Sequence, residues 1–145
     1  MLLTYASYRP SYHQVLLDTA QRLIAEDKPE IAVVTAQMAC EIFTEQVVTA
    51  ILEKKDVAFL EEAISALLPN YNLGHEKVLK FYVALSGDVI KKAIFWKRFK
   101  EATELRNKIV HRGRRITNQQ AEDTCQAYLE LIQHIDGVLK TVMTN

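Results

Sequence analysis

Apolar residues recur along this chain at helical spacing, and no stretch alternates as a strand bounded by hairpin turns would. Val15, Leu16, Leu17, Ala20, Leu23 and Ile24 form one run, opened by Pro10 and Ser11 and closing near Glu26. Asp27-Lys28-Pro29 breaks it, and Pro29 suits the first turn of a second helix, with Glu30 at its positive end. That second helix is long, with Ile31, Val34, Met38, Ile42, Phe43, Val47, Ile51 and Leu52 as one apolar stripe and Lys54 and Lys55 at its end. Asp56 is expected to cap a short third helix reaching Leu68. The turn-rich Pro69-Asn70-Tyr71-Asn72-Leu73-Gly74 leads to a helix from about His75 to Ser86.

Gly87 interrupts that pattern, and Asp88 is expected to cap the next helix. Ile90, Ile94, Trp96, Phe99, Leu105 and Ile109 mark its apolar side, and Gly113 fits the residue just past its end. After Arg114 and Arg115, Thr117 or Asn118 starts a last helix carrying Ala121, Cys125, Tyr128, Leu129, Ile132, Ile135, Leu139 and Val142. The pattern predicts an all-α, single-domain bundle of five or six helices over residues 1–145, with residues 1–8 irregular.

Composition changes this picture little. The chain has 145 residues, 49% hydrophobic and 25% charged, with four Gly and three Pro, as a helical globular domain requires. Cys40 and Cys125 sit on apolar helical positions without metal-ligand spacing, so both are read as buried thiols. The N-terminus lacks the basic start and apolar run of a signal peptide, and no run approaches a membrane span, so a cytoplasmic location without membrane is expected.

Charge changes it more. The chain is neutral, with 18 basic and 18 acidic residues. Ten of the basic ones, Lys91, Lys92, Lys97, Arg98, Lys100, Arg106, Lys108, Arg112, Arg114 and Arg115, lie in one stretch opposed only by Glu101 and Glu104. Such segregation suits a polyanionic partner, although a charge run is also compatible with a solvated face. Within it stand Arg106, Asn107 and His111. An imidazole can take the proton of a ribose 2′-hydroxyl or protonate the leaving 5′-oxygen, while a guanidinium holds the phosphate. No metal or other cofactor is needed for that reaction, and DNA lacks the nucleophile.

Five positions along a helix turn roughly 140°, so Arg106 and His111 do not share a face, whereas Asn107 and His111, four apart, do. A two-fold pair of chains would bring two Arg and two His to one cleft. With seven Arg and four His in the chain, the bare spacing arises easily by chance. A basic helix end favoured by the dipole is the plainer reading.

In its context, Arg106-Asn107 followed by His111 at the end of a long helix resembles the motif of the HEPN family, the higher eukaryotes and prokaryotes nucleotide-binding domains. The long second helix with Glu41 toward the core, W-K-R-F-K-E-A-T-E-L before the motif and I-T-N-Q-Q opening the last helix extend the resemblance from about Pro10 to Val142. It implies a metal-independent, homodimeric endoribonuclease of the kind found in toxin–antitoxin, abortive-infection and CRISPR-linked systems. His111 would be the general acid/base, Arg106 the phosphate clamp, Asn107 the orienter, and Lys108, Arg112, Arg114 and Arg115 the substrate contacts. Members paired with nucleotidyltransferases often carry Tyr two positions after the His; Gly113 stands there in this chain, which argues against that subgroup's chemistry. Other members are silent nucleotide- or RNA-binding modules, or partners of an antitoxin or a nucleotidyltransferase, and this is the alternative.

Several residues have structural readings. Glu41 or Glu45 is expected to ion-pair with an Arg, with Arg106 the candidate. His13, His75 and His134 are expected to be structural or at the surface. Phe95, Trp96 and Phe99 are read as core or interface rather than as platforms for bases.

Overall fold

Pro29 at the first turn, Glu30 beside it and Lys54 in the last turn bound the longest apolar helix of the first half, and the fold is assembled around that helix. A computed structural model describes residues 10–145; the expected irregular stretch at 1–8 lies outside them. Among the described residues there are six α-helices and no strand: α1 (Tyr12–Ala25), α2 (Pro29–Lys54), α3 (Glu61–Leu67), α4 (Glu76–Ser86), α5 (Trp96–Arg112) and α6 (Asn118–Thr144). Short 3-10 turns cover Ala58–Leu60 and Ile90–Lys92. The chain is an all-α bundle, as its periodicity predicts.

α2 packs chiefly between α1 and α6, and α5 lies across α6 and α2. Val47, Ile51 and Leu52 of the expected α2 stripe are buried, but in the first half of the helix the residues that go inside are different ones. Ala32, Val33, Ala36, Ala39 and Cys40 are buried, whereas Ile31 is 55% and Met38 43% exposed. Small side chains let two neighbouring helices approach closely, so contact follows the Ala and Cys positions and leaves two bulky residues outside. By length and composition α2 could also cross a bilayer, contrary to the expectation that no run approaches that size. Half of its most apolar window is covered by the rest of the bundle instead.

Asp56 does not cap a third helix. It sits at φ 59°, in the left-handed region, and its N–H donates to Glu53 O at 3.1 Å while Val57 N–H donates to Leu52 O at 2.9 Å. Asp27 ends α1 in the same manner, with φ 59°, Asp27 N–H to Ile24 O at 3.0 Å and Lys28 N–H to Leu23 O at 2.8 Å. Both are Schellman closures with Asp where Gly is usual, which Asp tolerates better than most residues. The chain then runs through the 3-10 turn into α3, which has no side-chain cap.

Asp88 does not cap a helix either, because the backbone after it forms only the 3-10 turn, and α5 begins eight residues later at Trp96. Its carboxylate accepts from Tyr82 Oη at 2.8 Å and lies 2.9 Å from His134 Nε2. Buried Ile90 pins this connector, and Ile94, expected on the apolar side of α5, is 97% exposed within it. His75 does cap α4, its Nδ1 accepting from Lys77 N–H at 3.3 Å. The last helix opens with a reciprocal capping box. Gln120 N–H donates to Thr117 Oγ1 at 3.1 Å, and Thr117 N–H donates to Gln120 Oε1 at 2.9 Å.

The core gathers Tyr82, Phe99, Tyr128, Ile51, Leu52 and Leu131, with Tyr128 donating its hydroxyl to Ala102 O at 3.2 Å. Cys40 and Cys125 are buried and free. Burial raises both thiols, Cys125 to about 12, which keeps them protonated.

Candidate active site

α5 carries the motif, and its burial pattern fixes where each motif side chain goes. Phe99, Ala102, Thr103 and Ile109 face the core. Arg106 falls between Ala102 and Ile109 on that same side and is half-buried, while Asn107, Lys108, His111 and Arg112 are exposed. The helix stops because Gly113 takes φ 63°, letting its N–H donate to Ile109 O at 3.0 Å. The basic loop beyond it is tied down. Arg115 Nε lies 2.7 Å from Glu30 Oε1, and Ile116 N–H donates to Glu30 Oε2 at 3.4 Å. Arg115 is thus committed to an internal ion pair, whereas Arg114 has none among the described residues.

Arg106 Nη1 donates to Asn107 Oδ1 at 3.2 Å. Among the described residues the His111 side chain makes no hydrogen bond, and the Asn107 amide, expected to orient the imidazole, accepts from the guanidinium instead. Sharing a face by helical spacing does not produce a bond when a nearer donor takes the carbonyl. Arg106 Nε is buried without a partner among the described residues, and so is Gln37 Oε1 on α2. An unpaired buried donor or acceptor is costly.

The expected Glu41–Arg106 ion pair is not formed. Glu41 Oε1 accepts from Gln37 Nε2 at 3.3 Å, and Glu45 is exposed. Burial raises the Glu41 carboxyl above its ordinary range, with the Arg106 charge pulling in the opposite direction. The two feel each other's field without contact, because the guanidinium is turned to Asn107 and the carboxylate to Gln37.

Asn107, Lys108, His111 and Arg112, with Glu104, line a shallow depression of about 350 Å³. Arg106 is not part of it. The half-turn offset read from the spacing therefore holds in the fold, and one chain presents the imidazole and the guanidinium on different sides of α5.

The basic stretch divides in the same way. Arg98 holds Glu130 with both carboxylate oxygens, at 2.7 and 2.9 Å, and Lys100 donates to Gly74 O at 3.0 Å. Lys91, Lys92 and Lys97 gather at the entrance of α5. Lys108, Arg112 and Arg114 gather at its exit, about 16 Å along the axis from Lys97 to Lys108. No single run of cations results, since Glu101 and Glu104 lie between the two groups.

The remaining candidates are structural. His13 stacks on Phe43 at 4.6 Å, and His134 binds Asp88 while lying 5.2 Å from Phe95. Trp96 and Phe99 pack at 5.3 Å, and Phe99 meets Tyr128 edge-on at 6.1 Å. Among the described residues no three of His, Cys, Asp and Glu converge as metal ligands do. Sequence reasoning missed Glu30 as the anchor of the basic loop and Gln37 as the neighbour of Glu41. Glu30 lies 86 positions from Ile116, so nothing local pointed to it.

Fold and site together define a single helical bundle with a basic, histidine-bearing helix end. Comparison with family models, with curated proteins and with solved structures finds no match for this chain.

Proposed function

We propose that the chain is a metal-independent endoribonuclease of HEPN type, acting as a pair of copies. The observation that supports this most is the exit of α5, where an exposed His111 shares one depression with Lys108 and Arg112 while Asn107 holds the guanidinium of Arg106. A neutral His111 imidazole takes the 2′-hydroxyl proton, the 2′-oxygen attacks phosphorus, and the 5′-oxygen leaves. Arg106 neutralises charge growing on the non-bridging oxygens. The second His111, from the other copy and in its protonated imidazolium form, gives its proton to the leaving oxygen, so the products are a 2′,3′-cyclic phosphate and a 5′-hydroxyl. Lys108, Arg112 and Arg114 hold the backbone. Arg115 contributes less, being paired with Glu30.

The test is cleavage of single-stranded RNA in EDTA by the wild type, His111→Ala and Arg106→Ala. The reading requires cleavage by the first and its loss in both variants with helix content kept.

A second reading is a module that binds RNA or an acidic protein without cleaving it. One observation favours it: the guanidinium of Arg106 lies outside the depression that His111 lines. RNA binding by a wild type that cleaves nothing would select this reading.

A further inference from the structure

The connector between α4 and α5 carries the most open large apolar side chain among the described residues. Ile94 is 97% exposed, and Val89 before it is 64% exposed. The segment is pinned on both sides. Asp88 is held by Tyr82 and His134, Ile90 is fully buried, Phe95 packs on His134 at 5.2 Å and Trp96 on Phe99 at 5.3 Å. Ile90 and Phe95 take the inward positions, so Ile94 is left standing proud of the surface. Lys91, Lys92 and Lys97 are exposed in the same segment, and no acidic residue lies between Val89 and Lys97. None of the three lysines forms an ion pair among the described residues. Glu76, whose charge feels Lys91, holds Lys80 at 3.1 Å, and Glu130 holds Arg98. Glu101 follows one turn beyond Lys97 and leaves the entrance of α5 still cationic.

We propose that this connector docks the protein on an anionic lipid bilayer, with Ile94 entering the acyl boundary and Lys91, Lys92 and Lys97 meeting the headgroups. An open aliphatic tip among unpaired cations supplies the two signals that attachment to a bilayer takes, since neither suffices by itself. A protruding tip enters a fluid layer without needing a complementary pocket, and a pinned one loses little freedom on docking. An RNA backbone would suit the lysines but not the tip. Single strands stack on rings, and here the rings of Phe95 and Trp96 are turned to His134 and Phe99. The expectation of a chain without membrane rests on spans and leaders, and a patch that lies on a surface needs neither. The contact is independent of the ribonuclease reading, since Lys97 and Lys108 stand about 16 Å apart along α5.

Trp96 is the one tryptophan of the chain and lies two positions from Ile94, so its fluorescence reports the contact directly. The full chain is titrated with vesicles of phosphatidylserine and phosphatidylcholine in equal parts, and with vesicles of phosphatidylcholine alone. The mixed vesicles are expected to bind, with a blue shift of the emission and quenching by brominated acyl chains, and the neutral ones are not. Ile94→Ser should weaken binding about tenfold through the lost burial of one aliphatic side chain. Lys91→Glu combined with Lys92→Glu should weaken it about tenfold or more, and added salt should weaken the wild type. All three positions are exposed, so helical circular dichroism should stay unchanged. His111→Ala should bind as the wild type does, which separates this surface from the nuclease reading. Absence of binding to the mixed vesicles, or equal binding by Ile94→Ser, overturns the proposal. Single-stranded RNA or polyglutamate held through Lys91 and Lys92 by a protein that ignores vesicles also overturns it, and gives the patch to that partner.

Discussion

Asn107 accepts from the Arg106 guanidinium through Oδ1 at 3.2 Å, one residue along the same helix, and its side chain makes no bond to the His111 imidazole. The neighbour most able to steer the histidine steers the arginine instead. On the proposed reading the amide acts on phosphate binding by holding the guanidinium.

Asn107→Ala should therefore lower RNA cleavage by about tenfold, the worth of one hydrogen bond to a charged group. Cleavage of single-stranded RNA in EDTA by the variant checks this, and an unchanged rate would leave the Arg106–Asn107 bond without a part in the reaction.

Glu41 carries a pH dependence whose sign can be worked out. Its folded carboxyl titrates above the ordinary value of 4.5 because burial disfavours the charge. Folding then favours the protonated form, and stability is lost as pH climbs from 4.5 through the folded value. Glu41→Gln should match the wild type below that range and exceed it at neutral pH. Arg106→Ala should push the Glu41 titration higher still, since it removes the opposing charge. Urea unfolding across pH 4 to 8, at steps of roughly one unit, measures both effects.

At Asp56, φ 59° holds a side chain in the left-handed region. Asp56→Gly should raise the urea midpoint by the equivalent of about 0.5 to 1 kcal/mol, and Asp56→Val should lower it. An unchanged midpoint in both would mean that the turn is not strained.

Asp88 joins Tyr82, whose ring is fully buried, to His134 on α6. Asp88→Ala leaves the Tyr82 hydroxyl without its acceptor and should cost roughly 2 to 3 kcal/mol. Asp88→Asn, which keeps an acceptor, should cost less. Calorimetric melting of the two variants ranks them.

The sequence by itself determined the helices, because a period of 3.6 in apolar residues and the end signals at Pro29, Gly113 and Thr117 act through local backbone physics. It also determined that Arg106 and His111 stand about half a turn apart, a property of helical geometry alone. It did not reveal that Asp56 and Asp88 decline the capping roles their residue type suggests, because each is drawn into contacts that depend on how the chain turns next. Nor did it reveal that Ala32 and Ala36 go inside while Ile31 and Met38 stay out. That choice depends on how closely α1 and α6 approach α2, and hydrophobicity carries no record of distance. Only tertiary structure decided that Arg115 belongs to Glu30 and that Glu41 turns to Gln37 rather than Arg106. Those contacts are settled by packing, where residues far apart in sequence compete for the same side chain.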